Sequence, residues 1–176
     1  LESYSINQID FEQLILNEKI KEKSILIILD QIKDPQNIGS IMRSCALFGC
    51  CNIITSKDNS PDITSSLIKS ASGAAEIVNY IKVVNIKRSI SKLKNIGYWI
   101  FAFDKSNKFK VIEKSISKKS VFVFGSEDKG IRKQIKKECD EVLHLKSNPN
   151  KKFGIDSLNV SNAASIALYE YFKKFR

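Results

Sequence analysis

Apolar and polar positions follow two kinds of pattern along the chain. Short runs of apolar, β-branched or aromatic residues between turn residues predict buried strands, whereas apolar residues spaced three or four apart predict helices. The predicted strands cover residues 25–29, 51–55, 77–84, 98–103, 120–125 and 141–145. The predicted helices cover residues 38–48, 60–72, 86–95, 130–138 and 158–172. Asn37 is predicted to cap the first of these helices, and Pro61 to open the second.

The alternation of strands and helices predicts an α/β fold with a mainly parallel sheet and helices on both faces. Ligands of such sheets bind beyond the carboxyl ends of the strands. We therefore expect functional side chains in the loops that follow Leu29, Phe103, Phe124 and Leu145. Residues 1–23 are polar and charged with scattered apolar positions, so they are predicted to form an arm or linker before a domain at residues 24–176.

Composition adds a preference for a polyanionic partner. The chain of 176 residues is 43% apolar and 27% charged, which is typical of one globular domain. Its 29 basic and 19 acidic side chains give a net charge of +10, which favours nucleic acid as a partner. The lysines are spread along the chain, so the charge alone fits an ordinary solvated surface equally well. No apolar run approaches the ~20 residues of a membrane span, and no signal peptide is recognisable, so a cytoplasmic protein without a membrane partner is expected.

Cysteine and histidine residues are too few and too scattered to predict a metal site. None of the four cysteines forms a C-x-x-C pair, and His144 is the single histidine. No metal is therefore expected. Cys45 lies within a helical pattern, and buried free thiols fit a reducing compartment. His144 ends an apolar strand, where a structural role is expected.

The loop after the first predicted strand carries three residues that stand out. Asn37, Gly39 and Arg43 lie where a nucleotide-binding fold would have a glycine-rich phosphate loop. Taken singly, each has an ordinary structural interpretation. Asn37 would cap a helix, Gly39 would allow close packing and Arg43 would be a surface charge.

Two further segments combine glycine or small residues with polar side chains. In residues 125–131, Gly125 would let backbone approach a ligand closely, and Glu127 could accept a hydrogen bond from an arginine or position a hydroxyl. The alternative is an ordinary acidic loop before a helix. In residues 157–165, hydroxyl and amide side chains alternate with apolar ones at a helix start, which also fits a capped core helix.

Together these segments, in this order, resemble the motifs of one family. Asn37, Gly39, Arg43 and Ala46 match N-x-G-x-x-x-R-x-x-A. Gly125, Glu127 and Gly130 match G-x-E-x-x-G after an apolar strand, and residues 157–161 read S-L-N-V-S. The segment "SGAAE" at residues 72–76 also looks like family sequence. Residues 25–172 thus resemble the SpoU (TrmH-like) RNA ribose 2′-O-methyltransferases of the SPOUT superfamily.

The resemblance implies a set of properties that the residues alone do not give. It implies S-adenosylmethionine as the cofactor, an RNA substrate, a deep C-terminal trefoil knot and a homodimer that packs through the last helix. The cofactor would lie at Phe103, Gly125, Leu145 and Leu158. The catalytic residues would be Arg43, Asn37, Glu127, Ser157 and Asn159. Since an arginine essentially never deprotonates, we expect Arg43 to bind a phosphate and stabilise developing alkoxide charge rather than act as a base.

Some features depart from the family or leave the substrate open. Residues 146–156 form a connection that looks longer and more basic than usual, beside the implied cofactor pocket. An extra N-terminal RNA-binding domain, carried by many members, is replaced here by the arm at residues 1–23, and a removed domain would explain this. The overall spacing is most similar to bacterial members that methylate a guanosine of 23S ribosomal RNA. Transfer RNA is the alternative substrate.

Two other classes of function would explain part of the sequence. A non-catalytic basic RNA-binding module would explain the charge, but not Arg43 together with Glu127 and Asn159. A dinucleotide-dependent oxidoreductase would share the βαβ pattern, but no G-x-G-x-x-G follows the first strand. Calorimetry with S-adenosylmethionine and with NAD would separate these classes from a methyltransferase.

Overall fold

The computed structural model describes residues 9–105, 110–111, 116–146 and 157–176. Its centre is a seven-stranded sheet in the order β3-β2-β1-β6-β4-β7-β5. Every neighbouring pair of strands is parallel. The strands are β1 Ser24–Asp30, β2 Asn52–Ser56, β3 Asn79–Val83, β4 Trp99–Phe103, β5 Lys110–Val111, β6 Lys119–Gly125 and β7 Glu141–His144. The expected parallel α/β sheet is confirmed, whereas the trefoil knot stays a prediction from the resemblance.

Six α-helices are described along with one 3-10 turn, Ala74–Glu76. The helices are α1 Phe11–Lys19, α2 Pro35–Leu47, α3 Ser65–Ala71, α4 Ile86–Asn95, α5 Lys133–Lys136 and α6 Val160–Phe175. Within the described ranges, no helix has the length and apolar character needed to cross a membrane.

Both faces of the sheet are covered, as the continuous apolar strands predict. One face packs against α2, α3 and α6 around residues such as Ile27 and Phe122, and the other against α1, α4 and α5 around Ile28 and Val123. β1 and β6 pair along their whole length, from Ser24 opposite Lys119 to Asp30 opposite Gly125. The carboxyl ends of β1, β6 and β4 therefore finish side by side, and the loops that follow them meet at one edge.

Two helix starts differ from the sequence prediction. Asp34, not Asn37, caps α2, since its carboxylate accepts a hydrogen bond of 3.0 Å from the backbone N–H of Gln36. Pro35 is the first helical residue, which places Asn37 inside the first turn with its side chain available for other contacts. Helix α3 is capped by Thr64 and does not begin at Pro61. In both cases the residue that caps the helix lies three positions from the residue that was predicted to cap or open it.

The described part of the predicted arm contains a packed helix. α1 is capped by Asp10, whose side chain accepts from the N–H of Gln13 at 2.8 Å. Its residues Leu14 and Glu18 are fully buried against the sheet. Residues 9–23 of the predicted arm or linker at residues 1–23 therefore include a helix that packs on the domain.

A hydrogen-bonded cluster around Glu18 joins α1 to the amino ends of the strands. The Tyr98 hydroxyl donates to Oε2 of Glu18 at 2.6 Å, while the Asn52 amide and Lys21 ammonium donate to Oε1 at 3.1 and 2.9 Å. Lys119 donates to the Glu18 carbonyl at 2.9 Å. Burial raises the pKa of Tyr98, and its bond to Glu18 raises it further. These partners satisfy a carboxylate that would otherwise be costly to bury.

The small residues of α6 face the core of their own chain. Ala164 and Ala167 are fully buried, and Tyr171 is 5% exposed. The close approach that they allow is to α2, where the Ser44 and Ser165 hydroxyls lie 2.6 Å apart. Ala164 and Ala167 therefore cannot contribute to the homodimer contact that is expected through the last helix, since both are buried within their own chain. Of the connection at residues 146–156, residues 147–156 lie outside the described part of the chain.

Candidate active site

Three of the predicted segments meet at the carboxyl edge of the sheet. α2 follows β1, the loop at residues 125–131 follows β6, and Asn159 caps the start of α6. Oδ1 of Asn159 accepts from the backbone N–H of Ser161 at 2.9 Å and from the Ser161 hydroxyl at 2.6 Å. With its oxygen held in this way, the amide nitrogen of Asn159 is left to point towards the other two segments.

The amide of Asn159 joins one residue from each segment. Its Nδ2 donates to Oδ1 of Asn37 at 2.9 Å and to Oε1 of Glu127 at 2.7 Å. The backbone N–H of Val160 also donates to Oε1 of Glu127, at 3.4 Å. These residues are separated by up to 122 positions in sequence, and their side chains form one connected polar cluster. Asn37, Glu127 and Asn159 were all expected here from the sequence.

Arg43 is placed differently from these three. It lies on the exposed side of α2, and its guanidinium makes no hydrogen bond or ion pair with any described residue. Its charge is therefore available to an anion from outside the protein. Ser157 is exposed and lies on the wall of the neighbouring cleft.

That cleft is lined by all the residues expected to hold a cofactor. Phe103, Gly125, Leu145 and Leu158 contribute to its wall. Phe103 stacks on Phe124, with ring centroids 4.7 Å apart and an interplanar angle of 14°. The aromatic pair forms an apolar surface, while Asp104, Ser126 and Asp128 add polar groups at the margin. The arrangement suits a ligand with a flat apolar part and a polar end.

Gly125 has a packing role in addition to the one expected. A Cβ atom at this position would overlap the backbone of Gly130 and Ile131. The loop folds back on itself, and the Gly130 N–H donates to the Ser126 carbonyl at 2.8 Å. Gly130 has φ +65°, a conformation that favours glycine. Gly125 therefore makes room first for its own chain, and a valine here would disturb the loop before it met any ligand.

One ion pair beside the site was not expected from the sequence. Asp30, the last residue of β1, is fully buried. Its carboxylate accepts from the backbone N–H and from Nε of Arg132, both at 2.8 Å, and lies 2.7 Å from Nη2. The signal in the sequence was a charged residue at the end of a completely apolar strand, which requires a partner. Gly130 with φ +65° and Arg132 with ψ 137° are outside the helical conformation, and the predicted helix 130–138 is reduced to α5, Lys133–Lys136.

Metal and thiol chemistry find little support in the described residues. Within them, no group of three or more His, Cys, Asp or Glu side chains is arranged to hold a metal ion. Cys45 is buried, and burial raises its pKa well above the ordinary value, which disfavours the reactive thiolate. Burial likewise raises the pKa of Cys139 to about 12.

Comparison with known proteins identifies the family. The SpoU rRNA Methylase family profile matches residues 24–169. An uncharacterized tRNA/rRNA methyltransferase of Borreliella burgdorferi is 36% identical over 165 residues, which are 92% of this chain and 69% of that protein. The 23S rRNA (guanosine-2'-O-)-methyltransferase RlmB of Neisseria meningitidis serogroup B is 33% identical over 167 residues, 94% of this chain and 64% of that protein. The chain thus spans about two thirds of the length of such relatives.

Solved structures share the fold. The AdoMet-bound rRNA methyltransferase from Sinorhizobium meliloti superposes with a TM-score of 0.79 at 21% identity, over 89% of this chain and 58% of that one. The TrmH/SpoU tRNA modifying enzyme of A. aeolicus gives a TM-score of 0.77 at 23% identity, over 93% and 83%. With the profile matched over most of its sequence, the chain belongs to the SpoU rRNA methylase family.

Proposed function

We propose that the chain transfers a methyl group from S-adenosylmethionine to the ribose 2′-hydroxyl of an RNA nucleotide. The observation that carries this proposal is the cluster of Asn37, Glu127 and Asn159 beside an aromatic-floored cleft, with Arg43, which pairs with no described residue, on the adjoining helix. Family membership supports the reaction class.

The cleft fits S-adenosylmethionine in its chemistry. The stacked Phe103 and Phe124 rings, with Leu145 and Leu158, offer apolar surface for an adenine ring. Polar groups of the loop at residues 126–130 lie at the rim, where hydroxyls and charged ends can be bound. When bound, the cofactor supplies an electrophilic methyl group on a sulfonium. A solved relative from Sinorhizobium meliloti is described as AdoMet bound, which supports the assignment.

Arg43 acts on the RNA. A guanidinium keeps its proton at any physiological pH, so it donates hydrogen bonds and does not remove the 2′-hydroxyl proton. Its planar fork binds a phosphate with two parallel hydrogen bonds, and its charge stabilises the alkoxide that develops on the ribose. The proton leaves to the phosphate or to water.

The polar cluster positions the ribose and the loops around it. Glu127 accepts hydrogen bonds and carries negative charge, so it orients donors such as the arginine or a ribose hydroxyl. Asn159 holds Glu127 and Asn37 in one arrangement, which reduces the ordering needed in the transition state. Ser157 adds a hydroxyl at the edge of the cleft.

Ribosomal RNA, methylated at a guanosine, is the proposed substrate. The similarity to the Neisseria enzyme that is named for guanosine in 23S rRNA supports it, as does the net charge of +10. Transfer RNA is the alternative, supported by the fold shared with the A. aeolicus tRNA modifying enzyme.

A homodimer is also proposed, through exposed apolar residues on α2 and α6. Leu47, Ile166 and Tyr169 are 70%, 41% and 48% exposed. Phe48 packs on Tyr169 with ring centroids 5.9 Å apart, so the carboxyl end of α2 lies beside this part of α6. An apolar patch of this kind on one side of a small domain favours association.

The decisive experiment combines binding with product mapping. Calorimetry should detect binding of S-adenosylmethionine and none of NAD. Purified protein with labelled cofactor should methylate ribosomal RNA from a strain that lacks the gene, and the product should be a 2′-O-methyl guanosine. Methylation of transfer RNA alone would transfer the proposal to the alternative substrate, and binding of NAD without the methyl donor would refute it.

A further inference from the structure

The ion pair between Asp30 and Arg132 lies at the base of the loop that presents Glu127. Asp30 ends β1 and is the register partner of Gly125, the residue at which that loop leaves β6. Arg132 stands at the other end of the same loop. The two sides of the loop are therefore tied at one point, and Glu127 lies between them in sequence.

The contacts of this pair are more than a surface ion pair provides. Both carboxylate oxygens of Asp30 are used, one by the Arg132 backbone N–H and the other by its side chain. Asp30 is fully buried, whereas the Arg132 side chain is 30% exposed. A buried ion pair adds little to the stability of the fold, because the cost of removing both charges from water offsets the attraction between them. A role in fixing geometry accounts better for such a pair at this place.

The loop itself has little freedom once its base is tied. Gly130 and Ile131 lie so close to Gly125 that no Cβ would fit between them. The Gly130 N–H bonds to the Ser126 carbonyl, which closes the loop below its tip. Glu127, at the exposed tip, then reaches Asn159 and the N–H of Val160 across to α6.

We infer that Asp30 and Arg132 are positioning residues for methyl transfer, which act through the loop that carries Glu127. This inference rests on the proposed function. The two side chains act from outside the reaction site. Ile131 and Ile135, which flank Arg132, pack with Leu26 on the sheet face opposite α2 and α6. The pair thus supports the loop from the sheet face opposite α2 and α6, and the side of the loop that faces the ligands stays accessible.

A double-mutant cycle tests whether Arg132 acts through Glu127. Arg132→Lys keeps the backbone bond to Asp30 and the positive charge but loses the fork, so it should fold. We expect its kcat to fall roughly tenfold, while KM for RNA and affinity for the cofactor change by less than about twofold. In a Glu127→Gln background the same change should have almost no further effect on kcat. Independent, multiplicative losses, or an unchanged kcat in Arg132→Lys, would overturn the inference.

A second readout does not depend on activity. Hydrogen exchange at the Gly130 amide should be faster in Arg132→Lys and in Asp30→Asn than in the parent, because the base of the loop is released. Lys94→Gln, which breaks the 2.7 Å pair between Lys94 and Asp140, is the matched control and should leave both kcat and this amide unchanged. If the parent methylates no RNA, the proposed function fails. If exchange is unchanged in both variants, the inference fails by itself.

Discussion

At the scale of single residues, the site contains three side chains joined by hydrogen bonds and one arginine that pairs with no described residue. The Asn159 amide donates to both Asn37 and Glu127 and so joins the three side chains. Arg43 has no such partner among the described residues and keeps its full hydrogen-bonding capacity. The held groups define a geometry, whereas Arg43, which pairs with no described residue, is proposed to follow a phosphate as RNA enters.

Substitution of Arg43 should therefore affect chemistry far more than cofactor binding. We expect Arg43→Ala to lower the methylation rate by roughly a hundredfold to a thousandfold, the usual cost of one transition-state donor. Arg43→Lys should also fail, since a point charge does not replace a planar fork. Single-turnover rates and cofactor titrations measure the two effects separately. Arg88→Lys, an exposed arginine on α4, is the control. Near-normal activity of Arg43→Lys would reduce the role of Arg43 to simple charge.

A change of charge at Asn159 should be sensitive to pH. Asn159→Asp replaces the donor to Glu127 by a second carboxylate, and two carboxylates at 2.7 Å repel unless one binds a proton. The folded variant thus binds a proton more readily than the unfolded chain, so its loss of stability should be present at about pH 8 and shrink towards about pH 5. Melting temperatures at both pH values measure this. Asn162→Asp, an exposed site on the same helix, should show no such trend, and an equal trend in both variants would contradict the prediction.

At the scale of helices and strands, the sequence predicted the kind of element better than its limits or its partners. The continuous apolar runs correctly indicated β1 and β6, because burial on both faces leaves no room for polar positions. Helix α1 was missed although four of its nine residues are apolar, because its attachment depends on Glu18, a residue type that normally predicts exposure.

The candidate site shows the same division. Its polar residues were found through motif order, and the sequence could indicate that Asn37, Glu127 and Asn159 act together. The pairing of Asp30 with Arg132 spans 102 positions and arises only when β1 and β6 lie side by side. The order of the strands is set by packing between distant segments, so local patterns do not determine it.

The contact between α2 and α3 depends on Gly39. A Cβ atom here would lie 2.6 Å from the Leu67 carbonyl oxygen and from Cβ of Ser70. Both atoms belong to α3, so the overlap is relieved only if that helix moves. Gly39→Ala gains about 1 kcal/mol of helix propensity but costs more in overpacking, up to about 3 kcal/mol. We expect a net loss of about 1–2 kcal/mol in the free energy of unfolding. Urea denaturation measures it, with Gln36→Ala on the exposed side of α2 as control. A gain in stability would show that the two helices separate easily.

At the scale of the whole molecule, the proposed dimer is tested on the exposed side of α6. Ile166→Arg should move the protein towards monomer at micromolar concentration, since each substitution acts twice in a two-fold interface. Ile77→Arg, at a more exposed apolar position directly after the 3-10 turn, should leave the dimer intact. Light scattering measures both. A monomeric parent chain would refute the dimer, while Ala167→Arg is no test because it would disrupt the core.

The cluster around Glu18 shows that the segment matched by a family profile and the segment that folds cooperatively need not have the same limits. The family profile begins at residue 24, yet Tyr98, Asn52 and Lys119 all depend on a residue before it. A fragment trimmed to residues 24–176 would leave the Tyr98 hydroxyl and the Asn52 amide without their carboxylate and would uncover the site of Leu14. We expect such a fragment to melt at a lower temperature than residues 9–176, and an identical melting curve would contradict this. A boundary drawn where a family is recognised in the sequence can therefore exclude contacts that the folded protein needs for its stability.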